Sequence, residues 1–164
     1  MKKVFMVVMV AMFGISFMGL STAIAGDYCG PVGTGTPGYW KNHPDAWPTD
    51  GIWIGGTEFT KAQAIAIMDG PVAGNKWITL FKAYVAAFLN VEVVDNCRPC
   101  CYWDKNDCGI NLDSAYGWLV SNQGVRVRAN SDEWQYSHGE AQYWCLDDYN
   151  NGYLPGIPSR DDLE

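Results

Sequence analysis

GTPGYWKNHPDAWP, residues 35–48, is the stretch of sequence that most constrains the fold. It contains three prolines, two tryptophans and His43, one of two histidines in the chain. Because proline fixes its own φ and disfavours helical angles at the residue before it, we expect Thr36, His43 and Trp47 to be extended. We therefore predict an ordered Trp/Pro-rich loop, with neither a helix nor a long strand, that holds its aromatic side chains in fixed directions.

The residues that follow this loop predict a hairpin and then a helix. Ile52–Phe59 consists of two short alternating segments joined by two glycines, which tolerate the positive φ of a tight turn. Thr60 and Gln63 have the spacing of a capping box, and Gly70 followed by Pro71 is a helix stop. A short helix is therefore expected between Thr60 and Gly70.

The clearest helical periodicity lies between Trp77 and Leu89. Large apolar side chains recur there every three or four residues, which is the spacing of one helix face. They are Trp77, Leu80, Phe81, Tyr84, Val85 and Phe88. Burying such side chains contributes roughly 1.5 to 3 kcal/mol each, so we predict that this is the central core helix.

Two further helices complete the prediction. The third begins near Asp113, which can cap it, and stops at Gly124. The fourth begins at Asn130 or Ser131, with Glu133 in a capping box, and continues to Asn150-Asn151-Gly152. The residues expected to share one face of this fourth helix are Trp134, His138, Ala141 and Cys145. The tail from Tyr153 to Glu164 is expected to be extended.

Residues 1–25 have the three-part pattern of a secretory signal peptide. Two lysines precede the apolar run Val4–Leu20, and an Ala-x-Ala sequence ends before Gly26. An uncleaved anchor is the alternative, since the apolar run approaches the length of a membrane span, but the Ala-x-Ala junction favours cleavage. We therefore predict a single exported domain at residues 26–164, extracellular or on the cell surface, with the periplasm as a further location.

Cleavage would leave an acidic chain without a stable membrane anchor. Since Lys2 and Lys3 are the only charged residues in the signal peptide, the mature chain has nine basic and eighteen acidic side chains and a net charge of −9. Nucleic acid and anionic lipid are bound by clustered Lys and Arg, so both are disfavoured as partners. Solubility is the simpler explanation of the acidity.

The cysteines predict a disulfide-stapled domain. An even number of them in an exported chain argues for three disulfides, although fifteen pairings are open. The six are Cys29, Cys97, Cys100, Cys101, Cys108 and Cys145. Zinc is disfavoured because a second Cys-x-x-Cys pair is missing, and covalent haem because Cys rather than His follows the first. The expected fold class is thus mainly α: a small stapled domain of about four helices, one short β-hairpin and the N-terminal loop.

Four segments of the mature chain resemble a family of exported bacterial proteins that carry a TPGYWKNHP motif. The segments are Thr36–Pro44 with Ala46–Pro48, Ile54–Gly56 with Phe59-Thr60, Ala86–Val91, and Leu146–Gly152. The motif positions singled out here are Pro37, Gly38, Lys41, Asn42, His43 and Pro44. The resemblance implies a small exported domain, sometimes joined to other extracellular modules, and it implies no catalytic residues. This chain departs from the family in its cysteine cluster and at Phe81–Tyr84, where a histidine-containing segment is expected.

Catalytic and metal-binding alternatives have weak support in the sequence. His43 near Asp45, or His138 near Glu140, could act as a general base, but we favour a hydrogen bond of His43 to its own loop and a place for His138 at the edge of the core. The segment from Asp104 to Gly109 is similar to the start of an EF-hand loop, yet Ala115 stands where the bidentate Glu is needed. Asp147, Asp148 and Asn151 are better explained as a helix end. We therefore expect no enzyme activity, no metal and no cofactor.

Aromatic recognition is the remaining functional interpretation. Eight Trp, nine Tyr and six Phe exceed what a small core needs, so some rings should be available for contacts. The candidates are Tyr39, Trp40, Trp47 and Trp53, although such rings could also fill the core. We predict an exported non-catalytic structural or interaction module whose partner is a second copy, an extracellular protein or a glycan. The alternatives are a carbohydrate-binding module and, less favoured, a hydrolase using His43 or a calcium-binding module.

Overall fold

The computed structural model describes residues 33–93, 110–155 and 157–158, together with the backbone of Cys100 and Cys101. The described residues form a mainly helical fold with two small antiparallel ribbons. The helices are α1 (Pro37–Asn42), α2 (Lys61–Asp69), α3 (Lys76–Val93), α4 (Leu112–Ser121), α5 (Asp132–Gln135) and α6 (Gly139–Asn150). The strands are β1 (Gly51–Ile54), β2 (Thr57–Thr60), β3 (Cys100–Cys101) and β4 (Ile110–Asn111). The predicted signal peptide, Cys29, Cys97, Cys108, the loop resembling an EF-hand and the end of the tail lie outside the described residues.

Helix α3 is the central helix, as its apolar periodicity predicts. It packs against α1, α2, α4 and α6. Five of the six large apolar residues of its predicted stripe are buried, and Phe88 is half-buried. The alanines at positions 83, 86 and 87 are buried as well, because small side chains allow neighbouring helices to approach.

The predicted hairpin and the helix after it are confirmed. Strand β1 pairs with β2 in antiparallel register, and Gly55 and Gly56 connect them with φ values of 57° and 79°. Positive φ at both positions is the requirement of a tight two-residue hairpin turn. The Thr60 side chain accepts from the backbone of Gln63 in a complete capping box, and α2 ends at Gly70.

The prediction that residues 35–48 contain no helix is wrong. Thr36 is extended as expected, but its side chain accepts a hydrogen bond from Tyr39 N and caps α1, which begins at Pro37. Pro44 likewise occupies the first position of a 3₁₀ turn, which has no side-chain cap. A proline at the first helical position needs no N–H partner and already has a helical φ, so these prolines start helical turns rather than prevent them.

The prediction of one continuous fourth helix is also wrong. The chain breaks between α5 and α6, and His138 there has a left-handed φ of 62°. Ser131 rather than Asn130 precedes α5, so the predicted capping box with Glu133 does not form. His138 is exposed and does not fill a core edge. The break brings Gly139 against the Trp118 ring, where a Cβ atom would lie 2.8 Å from ring carbons.

The cap of helix α4 lies two residues before the predicted Asp113 cap. Asn111 caps it instead, accepting from Ser114 N at 2.9 Å while Asn111 N donates to the Ser114 hydroxyl at 3.0 Å. An asparagine and a serine three residues apart thus form a reciprocal cap that the sequence analysis did not identify.

The second ribbon brings the cysteine-rich segment towards α6. Cys101 pairs with Ile110 across β3 and β4, and the Ile110 carbonyl oxygen lies 3.7 Å from Cys145 Sγ. Cys145 is a half-cystine rather than a free thiol. The number and pairing of the other disulfides stay predictions.

Both ends of the described chain meet beside the last turn of α6. Thr34 N donates to the Pro158 carbonyl at 2.8 Å, and the Thr34 hydroxyl donates to the Tyr149 carbonyl at 2.9 Å. Gly152, with φ of 71°, ends α6 as predicted. The described part of the tail, residues 153–155 and 157–158, is not extended throughout, because Ile157 N donates to the Leu154 carbonyl and closes a turn.

Candidate functional site

A fully buried asparagine on α3 holds the Trp/Pro-rich segment. Asn90 Oδ1 accepts from Gly35 N at 2.7 Å and from Trp40 Nε1 at 2.9 Å. Its Nδ2 group donates to the Gly35 carbonyl at 3.0 Å and to Asn150 Oδ1 at 2.9 Å. A carboxamide offers two donors and about two acceptor positions, so the hydrogen-bonding capacity of Asn90 is filled.

The same hydrogen bonds extend to α6. Asn150 Nδ2 donates to the Ala83 carbonyl at 2.9 Å and so joins α6 to α3. We call these five residues, Gly35, Trp40, Ala83, Asn90 and Asn150, the Asn90 network. Three of the segments that carry the family resemblance therefore converge on one buried set of contacts.

The outer face of the motif is held by contacts of Lys41 and His43. Lys41 Nζ lies 2.8 Å from Asp69 Oδ1, and this hydrogen bond lowers the pKa of Asp69 below its usual value. His43 stacks on Tyr39 with ring centroids 4.2 Å apart, and its Nδ1–H donates to the Tyr39 carbonyl at 2.8 Å. His43 thus makes the loop hydrogen bond that was the alternative to a catalytic role.

Two of the four predicted binding aromatics do not face solvent. Trp40 is fully buried and Trp47 is 6% exposed, with Trp47 Nε1 donating to the Trp40 carbonyl at 2.8 Å. Neither ring offers a face to a ligand, and both belong to the core. Tyr39 is half-buried, whereas Trp53 is 60% exposed and keeps its predicted availability.

The sequence analysis missed a second set of exposed aromatics. Tyr136, Trp144 and Tyr153 are 75%, 55% and 74% exposed. Trp144 lies off the buried face of α6, a face whose members are Gly139, Gln142, Cys145, Leu146, Tyr149 and Asn150. The helical periodicity of these six residues was the signal that could have identified Trp144 as a surface residue.

The Trp144 ring ends a run of aromatic contacts that begins in the core. Trp118 and Trp134 have ring centroids 5.8 Å apart, Trp134 and Tyr143 are 6.2 Å apart, and Tyr143 and Trp144 are 5.1 Å apart. Asp147 lies beside Tyr143, and burial raises the pKa of both side chains. The exposed Trp144 ring therefore has rigid aromatic support behind it.

A groove of about 400 Å³ runs between α4 and the α5–α6 turn. One wall is a helical stripe of small and aromatic residues, and the other comes from α5, the turn and α6. The residues that line it are Ser114, Gly117, Trp118, Ser121, Asn122, Glu133, Ser137 and Gln142. We call this feature the α4 groove.

Fixed side chains and open space coexist in the α4 groove. Trp118 Nε1 donates to the Glu133 carbonyl at 2.9 Å, which joins the two walls. A Cβ atom at Gly117 would meet no described atom within 4 Å. Gln142 is 7% exposed, yet its Oε1 atom has no hydrogen-bond partner in the described structure.

Within the part of the chain that the structure describes, no group of three or more His, Cys, Asp or Glu side chains is placed to hold a metal ion. The same residues include no helix of the length and apolarity needed to cross a membrane. Comparisons with protein-family models, with curated proteins and with solved structures each found no match. The described residues are therefore the basis of any functional assignment.

Proposed function

We propose that this chain is an exported, non-catalytic interaction module that self-associates outside the cytoplasm as a subunit of an extracellular assembly. The observation that carries the proposal is the division of its aromatic residues. The Trp/Pro-rich segment uses Trp40 and Trp47 internally, whereas Trp144, on a different helix, presents more than half of its surface to solvent. Exposed Trp and Tyr side chains are typical of contact surfaces.

Trp144 is the ring best placed to anchor a contact. Tyr143 packs against it edge to face, and that pair is connected to the buried Trp134. A rigid aromatic anchor loses little conformational entropy on binding, which is one reason why Trp is enriched among energetically dominant interface residues. The exposed Glu140 and the half-buried Asp148 lie four residues to either side, so two copies meeting here would bring like charges together.

The proposed disulfides and the proposed export to an oxidising compartment support each other. Cys145 is a half-cystine on α6, and β4 lies between that helix and the backbone of Cys100 and Cys101. We propose three disulfides that join the cysteine-rich segment to the helices, as expected for a small domain exported to an oxidising compartment. The resemblance to exported proteins with a TPGYWKNHP motif agrees with this location.

Sedimentation velocity of the natively exported protein tests self-association. We expect species larger than the monomer, and a larger share of them as NaCl rises from about 50 to about 500 mM, because salt screens repulsion between acidic surfaces. Trp144→Ala should shift the distribution to monomer. Trp53→Ala is the matched control, since it removes another exposed tryptophan and should leave the distribution unchanged.

Two outcomes would contradict this proposal. If the protein were a monomer at every protein and salt concentration, the proposal of self-association would be contradicted. If Trp144→Ala sedimented like the wild type, the surface around Trp144 would be excluded as the contact between copies. Co-pelleting of a monomer with insoluble polysaccharide, lost in Trp53→Ala, would instead favour the carbohydrate-binding alternative.

A further inference from the structure

Gly117 has no packing reason to be glycine. It lies inside α4, where glycine is a poor helix former, and a Cβ atom there would meet no described atom within 4 Å. Gly139 on the facing wall is different, because a Cβ atom would meet the Trp118 ring at 2.8 Å. Gly117 is exposed in the α4 wall of the groove and leaves open space there, which an occupant could fill.

Gln142 has no hydrogen-bond partner for its Oε1 atom in the described structure. The residue is 7% exposed, and Oε1 is buried without a hydrogen bond in the described structure. Buried carboxamides are nearly always paired, because an unpaired one loses its hydration without compensation. Since Gln142 lies in the wall of the α4 groove, a hydrogen-bonding occupant of the groove would remove this deficit.

The lining selects the chemistry of that occupant. Ser114 and Asn122 already use hydrogen-bonding atoms in the caps of α4, as Ser114 bonds Asn111 and Asn122 Nδ2 donates to the Trp118 carbonyl. The groups left for recognition are the Gln142 amide, the Glu133 carboxylate and the Ser137 hydroxyl. The backbone N–H of Glu133 lowers the pKa of its carboxyl group, which therefore stays ionised at neutral pH and repels anions.

The size of the groove limits the occupant to a small ring. Its volume of about 400 Å³ is at the lower end of the range of roughly 300 to 1,000 Å³ that is typical of small-molecule sites. The lining includes no Lys or Arg side chain. Neighbouring acceptors and amide donors without a cation suit the vicinal hydroxyl groups of an uncharged sugar.

We propose that the α4 groove binds one neutral sugar ring of an extracellular glycan, with Gln142, Glu133 and Ser137 hydrogen-bonding its hydroxyl groups and Gly117 providing the space. The site does not include Trp144. It is therefore independent of self-association, and either proposal can fail while the other holds.

An NMR titration of the ¹⁵N-labelled exported protein tests the site. The probes are the methyl glycosides of glucose, galactose and N-acetylglucosamine, with glucuronic acid as the anionic comparison. At least one neutral glycoside should cause saturable shifts at the backbone amides of Gly117, Ser121 and Ser137 and at the side-chain amide of Gln142. Glucuronic acid should bind at least about tenfold more weakly, a ratio that corresponds to about 1.4 kcal/mol.

Two variants separate binding from folding. Gly117→Leu fills the groove and should weaken binding at least about tenfold without lowering the melting temperature. Gln142→Leu removes the unpaired amide and should abolish binding while the melting temperature holds or rises. Val120→Leu is the control, since Val120 is on the same helix but not in the groove lining, and it should bind as wild type.

Several results would overturn the proposal. One is that no glycoside causes saturable shifts at the groove residues, which would mean that the groove holds only water. Another is unchanged affinity in Gly117→Leu. A third is a lysine-rich peptide that shifts the groove residues where the neutral glycosides do not. Sedimentation of Gly117→Leu should match the wild type in every case, which keeps this test separate from that of self-association.

Discussion

Two buried carboxamides in this protein have opposite surroundings. Asn90 on α3 is fully buried and makes four hydrogen bonds, whereas Gln142 on α6 is 7% exposed and its Oε1 atom makes none in the described structure. Nearby Trp134 Nε1 is likewise buried without a described partner. The comparison separates two uses of a buried polar group. A satisfied network fixes the fold, and an unsatisfied group in a groove is available to a ligand.

The largest expected effect comes from breaking the Asn90 network. Asn90→Ala would leave Gly35 N, Trp40 Nε1 and Asn150 Oδ1 without their partner inside the core. Each unpaired buried group costs about 1 to 3 kcal/mol, so we expect a loss of about 4 kcal/mol in the free energy of unfolding. Urea denaturation measures it.

Asn42→Ala is the matched control for Asn90→Ala, because Asn42 is an exposed asparagine of the same motif. It should change the free energy of unfolding by less than about 0.5 kcal/mol. Equal effects of the two substitutions would show that the Asn90 network does not hold the motif in place.

Gly139→Ala should be the next largest effect. The added methyl group would lie 2.8 Å from Trp118 ring carbons, and Trp118 is held by its hydrogen bond to the Glu133 carbonyl. Overpacking of this kind costs about 1 to 3 kcal/mol. Thermal unfolding should therefore show a lower melting temperature, and an unchanged one would mean that α6 can move away from α4 freely.

Gly117→Ala, on the opposite wall of the groove, should have the opposite sign. Alanine is a better helix former than glycine by roughly 0.8 to 1 kcal/mol, and its methyl group has open space at this position. We expect a rise of about that size in the free energy of unfolding in the same assay. A decrease would show that Gly117 has a structural role, which would weaken the ligand interpretation.

Asp147 on α6 is a half-buried carboxylate, and its substitution by Asn should give the smallest effect. Burial raises its pKa above the usual value of 3.8, so the folded state binds the proton more readily than the unfolded state. The ionised carboxylate therefore lowers stability above the raised pKa, and this penalty is absent below pH 3.8. Asp147→Asn should add about 0.5 kcal/mol at pH 7, because the group is near a helix C-terminus and screened by solvent.

A pair of melting curves checks the sign for Asp147→Asn. The gain in melting temperature over the wild type should be present at pH 7 and disappear as the pH falls below 3.8. A gain that persists in acid would mean that packing rather than charge is responsible.

Elements with local signals could be predicted from the sequence. The apolar periodicity of α3, the Gly55-Gly56 turn and the Thr60 capping box each need only neighbouring residues, and each is confirmed. The helix at Pro37 was missed because a proline disfavours a helix before itself but favours one that begins at it.

The remaining features depend on residues far apart in the chain. Trp40 is buried because it reaches Asn90, fifty positions later, so its own surroundings in sequence did not distinguish core from surface. The left-handed His138 lies next to Gly139, which contacts Trp118 more than twenty positions earlier in the chain. The stripe of Ser114, Gly117 and Ser121 was visible in the sequence, but nothing local indicated that it faces open space.

The hydrogen bond between Thr34 and Pro158 has a consequence for how this domain can be connected. A chain arrives at and leaves the described fold at nearly one point, next to the end of α6. Such a domain can be inserted into a surface loop of another protein without stretching the host, and its ends can be joined by a short linker in a circular permutant. Where it is joined to other modules, both neighbours would therefore lie on the same side of it.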